Sequence, residues 1–447
     1  ANAYLGWGGF GEALTPGADI VITGGVTVAA VVWGPAAWRH GWARTDLDRL
    51  AGAVVAGHVI ECSGQATGGN YSFFHEIDGF DDPTGTRFGF PWAEVAADGS
   101  SIIGKHDGTG GAVTVGTVTS QLLYEIGGPA YLGPDVTTRF DTVELTQVAP
   151  DRVRISGTRG EAPPQTLKVA MNQMGGYRNS VGVALTGLDI EAKARFAETA
   201  FWEACPFGPE DFQSVSSRLV RTDKTDPASQ EEAAAVWKLT VKDPDERKVG
   251  RAFSDALVHT GLSSIPGMYG LGGGPGAGAP FGVYRPATVP AALVPQYVHL
   301  DGRTTMVDST NPPGPALDVA IEPSRAAPGG QTEAAPIGRV VGTRSGDKGG
   351  DANLGVYARS DAGWAWLDNT LTVDRLRDLL PETADLPIER HRFPAIRSLN
   401  FVVRGLLEEG VAASTRQDPQ AKALGEWLRA RVVDIPTSVL AAAPDVG

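Results

Sequence analysis

The chain has 447 residues, 42% hydrophobic and 20% charged, which is enough apolar material for two or three domains with sizeable cores. A formal net charge of −14 argues against nucleic acid and anionic membranes as partners, since both need a basic surface. Two cysteines, Cys62 and Cys205, make no disulfide framework and lack metal-ligand spacing; with no signal peptide and no bilayer-length apolar run, a reducing, cytoplasmic setting is expected.

Near the start, GWGGFG (6–11) matches the glycine fingerprint of dinucleotide sites. That motif needs a strand before it and an acid about twenty residues on. Almost no chain precedes it and no acid stands between Asp19 and Asp46, so the match reads as chance in a chain with 58 glycines. ADIVITG (18–24) predicts a buried strand, and 46–60 predicts a helix whose acidic start complements the helix dipole. The polar turn ECSGQATGGN (61–70) follows directly. In it Glu61 is a candidate proton carrier, Gln65, Thr67 and Asn70 suit a carbonyl or carboxylate, and Gly68 and Gly69 allow close backbone approach to a ligand. The alternative is a helix cap in which these groups satisfy the chain itself. Asp78, Asp81 and Asp82 read as a solvated acidic turn, and His58-x-x-Glu61 lacks the second histidine of a zinc helix.

Residues 92–106 predict a hairpin about Asp98-Gly99, and 140–157 another with Ala149-Pro150-Asp151 at its tip. Between them, Gly108, Thr109, Gly110 and Gly111 form a glycine loop opening a helix that ends at Gly127; its amides are a candidate anion cradle, with a plain helix entry preferred on pattern alone. Strands are expected at 167–171, 181–186 and 236–241, and helices at 189–203 and 248–259. The 281–286 and 297–300 segments read as short strands. A Pro/Ala/Gly-rich stretch, 311–336, reads as a linker between a core domain (1–310) and a smaller domain (337–447). In the latter, GRVVGT leads as a strand into RSGDKGGDAN (344–353), followed by an apolar run, a helix at 372–380, a strand at 398–403 and a helix at 421–431. Arg344 and Lys348 suit an anion, Asp347 and Asp351 suit cation orientation or base chemistry, and Ser345 and Asn353 stand beside them. The fold class expected is an α/β (α+β) core plus a small α+β C-terminal domain. His106, His259, His299 and His391 are scattered singly and read as structural. Cys62, with no adjacent cation, reads as a small buried residue.

The strings AGHVIECSGQATGGN, TGGAVTVGTVTSQLLYEIGGPAYLGPDV and GYRNS closely resemble the AtuA-type acyclic terpene utilisation family. TRSGDKGGDANLGVYAR with LNFVVRGLLEEGV resembles the ferredoxin-like domain often fused behind it. The resemblance runs along nearly the whole chain. It implies breakdown of acyclic terpenes through branched acyl-CoA esters, hence a lyase or hydratase of a 3-hydroxy-glutaryl-CoA-like intermediate, with a CoA thioester as substrate; no metal ligands and no other cofactor are assigned. On that view Glu61, Gln65, Asn70 and Asp347 act in catalysis. Substrate would be held by Thr67, Gly68, Gly69, Gly108, Thr109, Gly110, Gly111, Arg344, Ser345, Lys348, Asp351 and Asn353. Two departures stand out. The family begins with a further glycine-rich segment before the equivalent of ANAYLG, so a homo-oligomer or a separate chain is expected to cover the exposed edge. Where the family reads like TGRVTDAS, this chain reads TGGVTVAA, placing Gly25 and Val28 at charged positions. That substitution raises the alternatives of a member recruited to secondary metabolism, with Val28 and Trp33 lining an apolar pocket, or of a non-catalytic subunit.

Overall fold

The computed structural model describes residues 1–77, 88–261, 263–271, 276–307, 314, 316–320 and 322–443. The acidic turn at Asp78, Asp81 and Asp82 lies outside them. By its contacts the chain divides into two compact units: residues 1–171, 285–411 and 418–447 in the first, and 172–284 with 412–417 in the second.

The first unit is organised around the helix Leu47–Ile60, in which every residue from Leu50 to Val59 is buried. A helix apolar on all sides belongs inside a core, and two glycines let other backbone reach it. A Cβ on Gly52 would stand 2.1 Å from the Gly99 carbonyl oxygen, and one on Gly57 would stand 2.8 Å from Ala29. Gly52→Ala is therefore expected to push the helix off the Pro91–Val95/Ser101–Lys105 hairpin, which contains Gly99 in its turn, at a cost of about 1–3 kcal/mol. The measurement is urea unfolding against wild type, and an unchanged midpoint would refute the close approach.

Both expected hairpins are present. Pro91–Val95 pairs with Ser101–Lys105, and Glu144–Ala149 with Arg152–Ser156, all in one four-stranded sheet. At the second tip Asp151 takes a left-handed backbone (φ 54°) and its carboxylate accepts from the Val113 amide at 2.8 Å.

The C-terminal part of this unit is an antiparallel sheet in the order Val341–Lys348, Asp351–Ala358, Ser398–Val403, Ile388–Phe393. Its core joins Val341, Leu354, Val356 and Phe401 to Trp366, Leu367, Leu376 and Leu428 of three helices, Asp361–Thr370, Val373–Leu379 and Leu424–Arg429. Tyr357, Phe393 and Ile396 instead join the core built by Val55, Val59, Leu122 and Leu123, so the two parts of the first unit share packing. The mixed α/β class is as expected.

The strand that begins at Thr166, in the first unit, runs unbroken to Thr186, in the second, rather than forming two strands. Its later part pairs with Ala234–Asp243, which pairs in turn with Ser214–Val220. The helices Ile190–Ala204 and Arg251–Thr260 add Phe201 and Phe253 to a core with Trp237 and Leu239.

Three expectations need correction. Residues 18–24 are not a buried strand: the segment has no regular structure, Ile20 and Ile22 are 81% and 92% exposed, and the only pairing nearby is a parallel bridge between Leu5 and Val26. The helix after the glycine loop runs Val115–Leu122, stopping well before Gly127. Finally, the strand that leads into 344–353 does not end there: it continues through Lys348, turns at Gly349-Gly350 (Gly349 φ 69°), and the chain returns as a strand from Asp351.

Candidate active site

The turn after the Leu47–Ile60 helix and the 344–348 strand, nearly 280 residues apart in sequence, meet. Gln65 accepts a hydrogen bond from the Arg344 guanidinium. Ser72 bridges the same elements, donating to the Thr343 carbonyl at 3.0 Å and accepting from the Thr343 amide at 3.0 Å. Alternation along the strand sends residues 344, 346 and 348 to one face. There Gly346 leaves room that a side chain would fill, since a Cβ would come within 2.7 Å of the Tyr124 ring and 2.8 Å of the Glu125 side chain. Arg344 lies over Tyr124 at 3.9 Å, and Lys348 lies 5.4 Å from the Tyr131 ring.

The result is a half-buried cluster of opposed charges. Burial and then the charge of Glu125 push the Glu61 carboxyl up to about 7, against the pull of Lys348. Burial and then Asp347 push Glu125 up to about 7 as well, with Lys348 again opposing. Burial raises Asp347, lowers Arg344 to about 10, and together with the more distant Lys168 lowers Lys348 to about 8. Lys422 closes the cluster, 3.0 Å from a Glu125 oxygen and 3.9 Å from Asp347, with its ammonium 4.2 Å from the Tyr124 ring. One turn before Glu61, His58 is 1% exposed, packed edge-on against Tyr131 and Phe140, with Nδ1 3.8 Å from a Glu61 oxygen. Burial and the Lys348 charge hold it down at about 4; the carbonyls of Leu122 and Gln121 oppose this without closing hydrogen bonds. His58 is thus a neutral wall of the site at physiological pH.

Glu61, Gln65, Arg344, Asp347 and Lys348 therefore come together. The other candidates, Asn70 apart, are committed to the chain itself. Thr67, fully buried, donates to the Gly64 and Gly89 carbonyls at 3.1 and 2.7 Å, and its own carbonyl accepts from the Ala112 amide. The Gly69 amide is taken by the Gly64 carbonyl, Gly68 (φ 118°) makes the turn, and Asn70 is exposed with a left-handed backbone (φ 61°). The loop Gly108, Thr109, Gly110, Gly111 is no anion cradle. The helix after it is capped by Thr114 with Thr117, and Gln147 accepts from the Val115 amide. Gly111 instead lies against Thr67, Gly110 accepts from the Gly89 amide, Thr109 caps His106, and Gly108 (φ 72°) turns the chain. Ser345 accepts from the Gly425 amide, and Asp351 pairs with Arg404 and the Gly405 amide. Asn353 is fully buried and bonds to the Glu125 amide and the Leu123 carbonyl.

Sequence reading missed Glu125, Lys422, Tyr124 and Tyr131, and weighed His58 only as a zinc ligand. Glu125 had a faint signal, a lone acid between an apolar helix end and Gly127-Gly128; Lys422 had none. Cys62 lies half-buried beside the cluster, and burial with the charges of Glu61 and Glu125 pushes its thiol up, which suits the non-nucleophilic reading. Trp33 and Val28 do not line an apolar pocket: Trp33 is buried and donates to Asp135 at 3.2 Å, and Val28 is 59% exposed. The same Asp135 explains the first glycines. It accepts from the Trp7 amide at 2.8 Å, and a Cβ on Gly6 would overlap its carboxylate. That run packs around a buried acid. Among the described residues, no group of three or more His, Cys, Asp or Glu side chains is placed to hold a metal ion, and no helix is long and apolar enough to cross a membrane.

Comparison with known families places two matches along the chain. The family model "Acyclic terpene utilisation family protein AtuA" matches residues 1–300, and the "AtuA ferredoxin-like domain" matches residues 335–434. No curated protein and no solved structure matches. The cluster thus draws Glu61, Gln65 and Glu125 from the first matched segment and Arg344, Asp347, Lys348 and Lys422 from the second. The chain belongs to the acyclic terpene utilisation family, AtuA, and carries that family's ferredoxin-like domain.

Proposed function

We propose that the protein is an acid–base enzyme of the lyase or hydratase class, acting on a small branched acyl substrate with an anionic end, presented as a CoA thioester. The observation that carries this reading is that Glu61 and Lys348 share one half-buried cluster, where the charge of each acts on the other. A carboxyl near 7 exists in both protonation states at neutral pH, which suits general acid–base work. A desolvated ammonium in the same cluster stabilises an enolate oxygen more strongly than it would in water. Arg344, held flat by Tyr124 and Gln65, suits the substrate's carboxylate.

In the hydration direction, Glu61 takes a proton from water as the oxygen bonds to carbon 3. The electron pair of the double bond moves onto carbon 2 and the thioester oxygen, facing Lys348. In the carbon–carbon cleavage direction, Glu61 takes the proton of the 3-hydroxyl, the bond between carbons 2 and 3 breaks, and the same oxygen collects the charge. Both steps use one base and one cation. The anionic end of the substrate balances the positive charge that remains when the carboxyls are protonated.

Glu61→Gln is expected to lower turnover of a branched enoyl-CoA or 3-hydroxyacyl-CoA by about 100-fold or more while circular dichroism stays that of wild type. Loss of the conjugated thioester absorbance gives the rate. A Glu61→Gln protein as active as wild type would reject the assignment.

A further inference from the structure

We propose that Glu125 is the second proton-transfer group of this site and that the buried Asn353–Asn400 pair exists to aim it. The proposal rests on the acid–base reading above and adds the partner which that chemistry requires.

Glu125 takes a left-handed backbone, φ 54°, at the end of the Val115–Leu122 helix. That conformation is uncommon outside glycine and is costly for a long side chain, so surrounding structure must impose it. Two fully buried amides do so. Asn353 accepts from the Glu125 amide at 2.8 Å and donates to the Leu123 carbonyl at 2.7 Å; it also donates to Asn400 at 2.9 Å. Asn400 donates to the Gly127 carbonyl at 2.6 Å and the Ile126 carbonyl at 3.3 Å. The pair thus fixes the polar backbone on both sides of one residue. The sequence supplies no glycine at 125, where the backbone would accept one without cost. What an acid gains there is its carboxyl, delivered beside Gly346 to the Glu61 cluster, where Lys422 meets it at 3.0 Å. A purely structural turn would need the clamp and no acid.

Hydration consumes two proton transfers. Glu61 removes a proton from water as the oxygen adds to carbon 3, and the pair left on carbon 2 must be protonated. Glu125, entering protonated, gives its proton to carbon 2. One O–H bond breaks, one C–O and one C–H bond form, and the two carboxyls leave with exchanged protonation that solvent resets. Glu125 is faced by Asp347 and Lys348, by Arg344, by Lys422, and by Glu61 and Cys62. Desolvation and the neighbouring acids keep it available as a donor at neutral pH.

The test uses the full chain, with glutamate side-chain carboxyls labelled with carbon-13 and followed by NMR from pH 4 to 9. Two carboxyls are expected to titrate near neutrality, one vanishing in Glu61→Gln and the other in Glu125→Gln. In Glu125→Gln the Glu61 inflection should move down, because a like charge is gone. Asn353→Ala should move the Glu125 inflection toward the ordinary carboxylate range; should it fail to fold, Glu125→Gln decides alone. Glu125 titrating in the ordinary range, or a Glu61 inflection indifferent to Glu125→Gln, overturns the proposal. In the thioester assay Glu125→Gln should lose about 100-fold in kcat and one limb of the pH profile. Full activity in Glu125→Gln with loss in Glu61→Gln sinks the second group and leaves the first. Full activity in both variants sinks both.

Discussion

Glu61→Gln is expected to unfold less readily than wild type at pH 8, while at pH 5 the two proteins should be nearly equal. The Glu61 carboxyl stands at about 7 in the folded protein against 4.5 for the free group, raised first by burial and then by the charge of Glu125. Between those values the folded state holds a proton that the unfolded chain has released, so the free energy of unfolding falls as pH rises through the window. The penalty is absent below 4.5 and complete above about 7. It corresponds to roughly 3 kcal/mol at most, reduced by whatever water reaches a side chain that is 16% exposed. An amide does not ionise, so the variant escapes it. His58 contributes with the opposite sign: held at about 4, it favours the folded state increasingly as pH rises from 4 to 6.5. That term is common to both proteins and cancels in the difference. Urea unfolding of both at pH 5 and pH 8 measures the gap. A gap equal at the two pH values, or a variant weaker than wild type at pH 8, contradicts the picture of a charge held in a site that disfavours it. The expected pattern, stability gained where activity is lost, is the usual cost of an ionisable group kept for chemistry.

Local pattern showed what local physics decides. The Leu47–Ile60 helix was legible because ten apolar or small residues follow an acidic start, and the hairpins because Asp98-Gly99 and Pro150-Asp151 are turn pairs between alternating runs. The strand expected at 18–24 failed for a non-local reason: ADIVITG has a strand's composition, but a strand exists only where its amides find a ladder, and the ladder here stops at the Leu5–Val26 bridge. The opposite error arose at 344–348. Arg, Ser, Asp and Lys were expected to follow the strand, yet Arg344 and Ser345 are 3% and 1% exposed within it. Their hydrogen bonds to Gln65 and the Gly425 amide, both distant in sequence, are what make burial tolerable. Half of the cluster was visible because it lies in two polar, glycine-rich strings. Glu125 and Lys422 stand in strings of no distinction, and only the approach of two matched segments gives them a role. Asn353 was assigned to substrate and instead bonds to the chain, since residue type does not tell an amide that binds a ligand from one that binds the chain.

The largest loss of stability expected from a single substitution outside the site comes from Asp368→Ala. Its carboxylate is 1% exposed, within 2.9 Å of the Arg390 guanidinium and 2.6 Å of that of Arg392, and it accepts from the Ser324 hydroxyl at 2.6 Å. Burial alone would raise this carboxyl; hydrogen bonds from Arg392, Ser324 and Arg390 hold it below the usual range. Removing it leaves two guanidiniums partly withdrawn from water with no counter-charge, which costs about 3–5 kcal/mol when fully buried. Arg390 and Arg392 keep 19% and 17% of their side-chain exposure, which places the expected value near the lower end, about 3 kcal/mol. The acid also fastens neighbouring chain. Ser324 bonds to it directly, Arg392 donates to the Glu322 carbonyl at 2.7 Å, and Asn369 donates to the Arg325 carbonyl at 2.7 Å. Loss of Asp368 should therefore release the 322–325 segment before the sheet behind it melts, and trypsin should cleave after Arg325 faster in the variant than in wild type at a temperature where both remain folded. Asp368→Asn, which keeps an acceptor and the shape but not the charge, should fall between the two. Its midpoint should fall less steeply than that of wild type below pH 3.8, where wild type gives up this carboxylate's contribution as the group protonates. Equal tryptic cleavage in all three proteins would mean that the segment is held by something other than this acid.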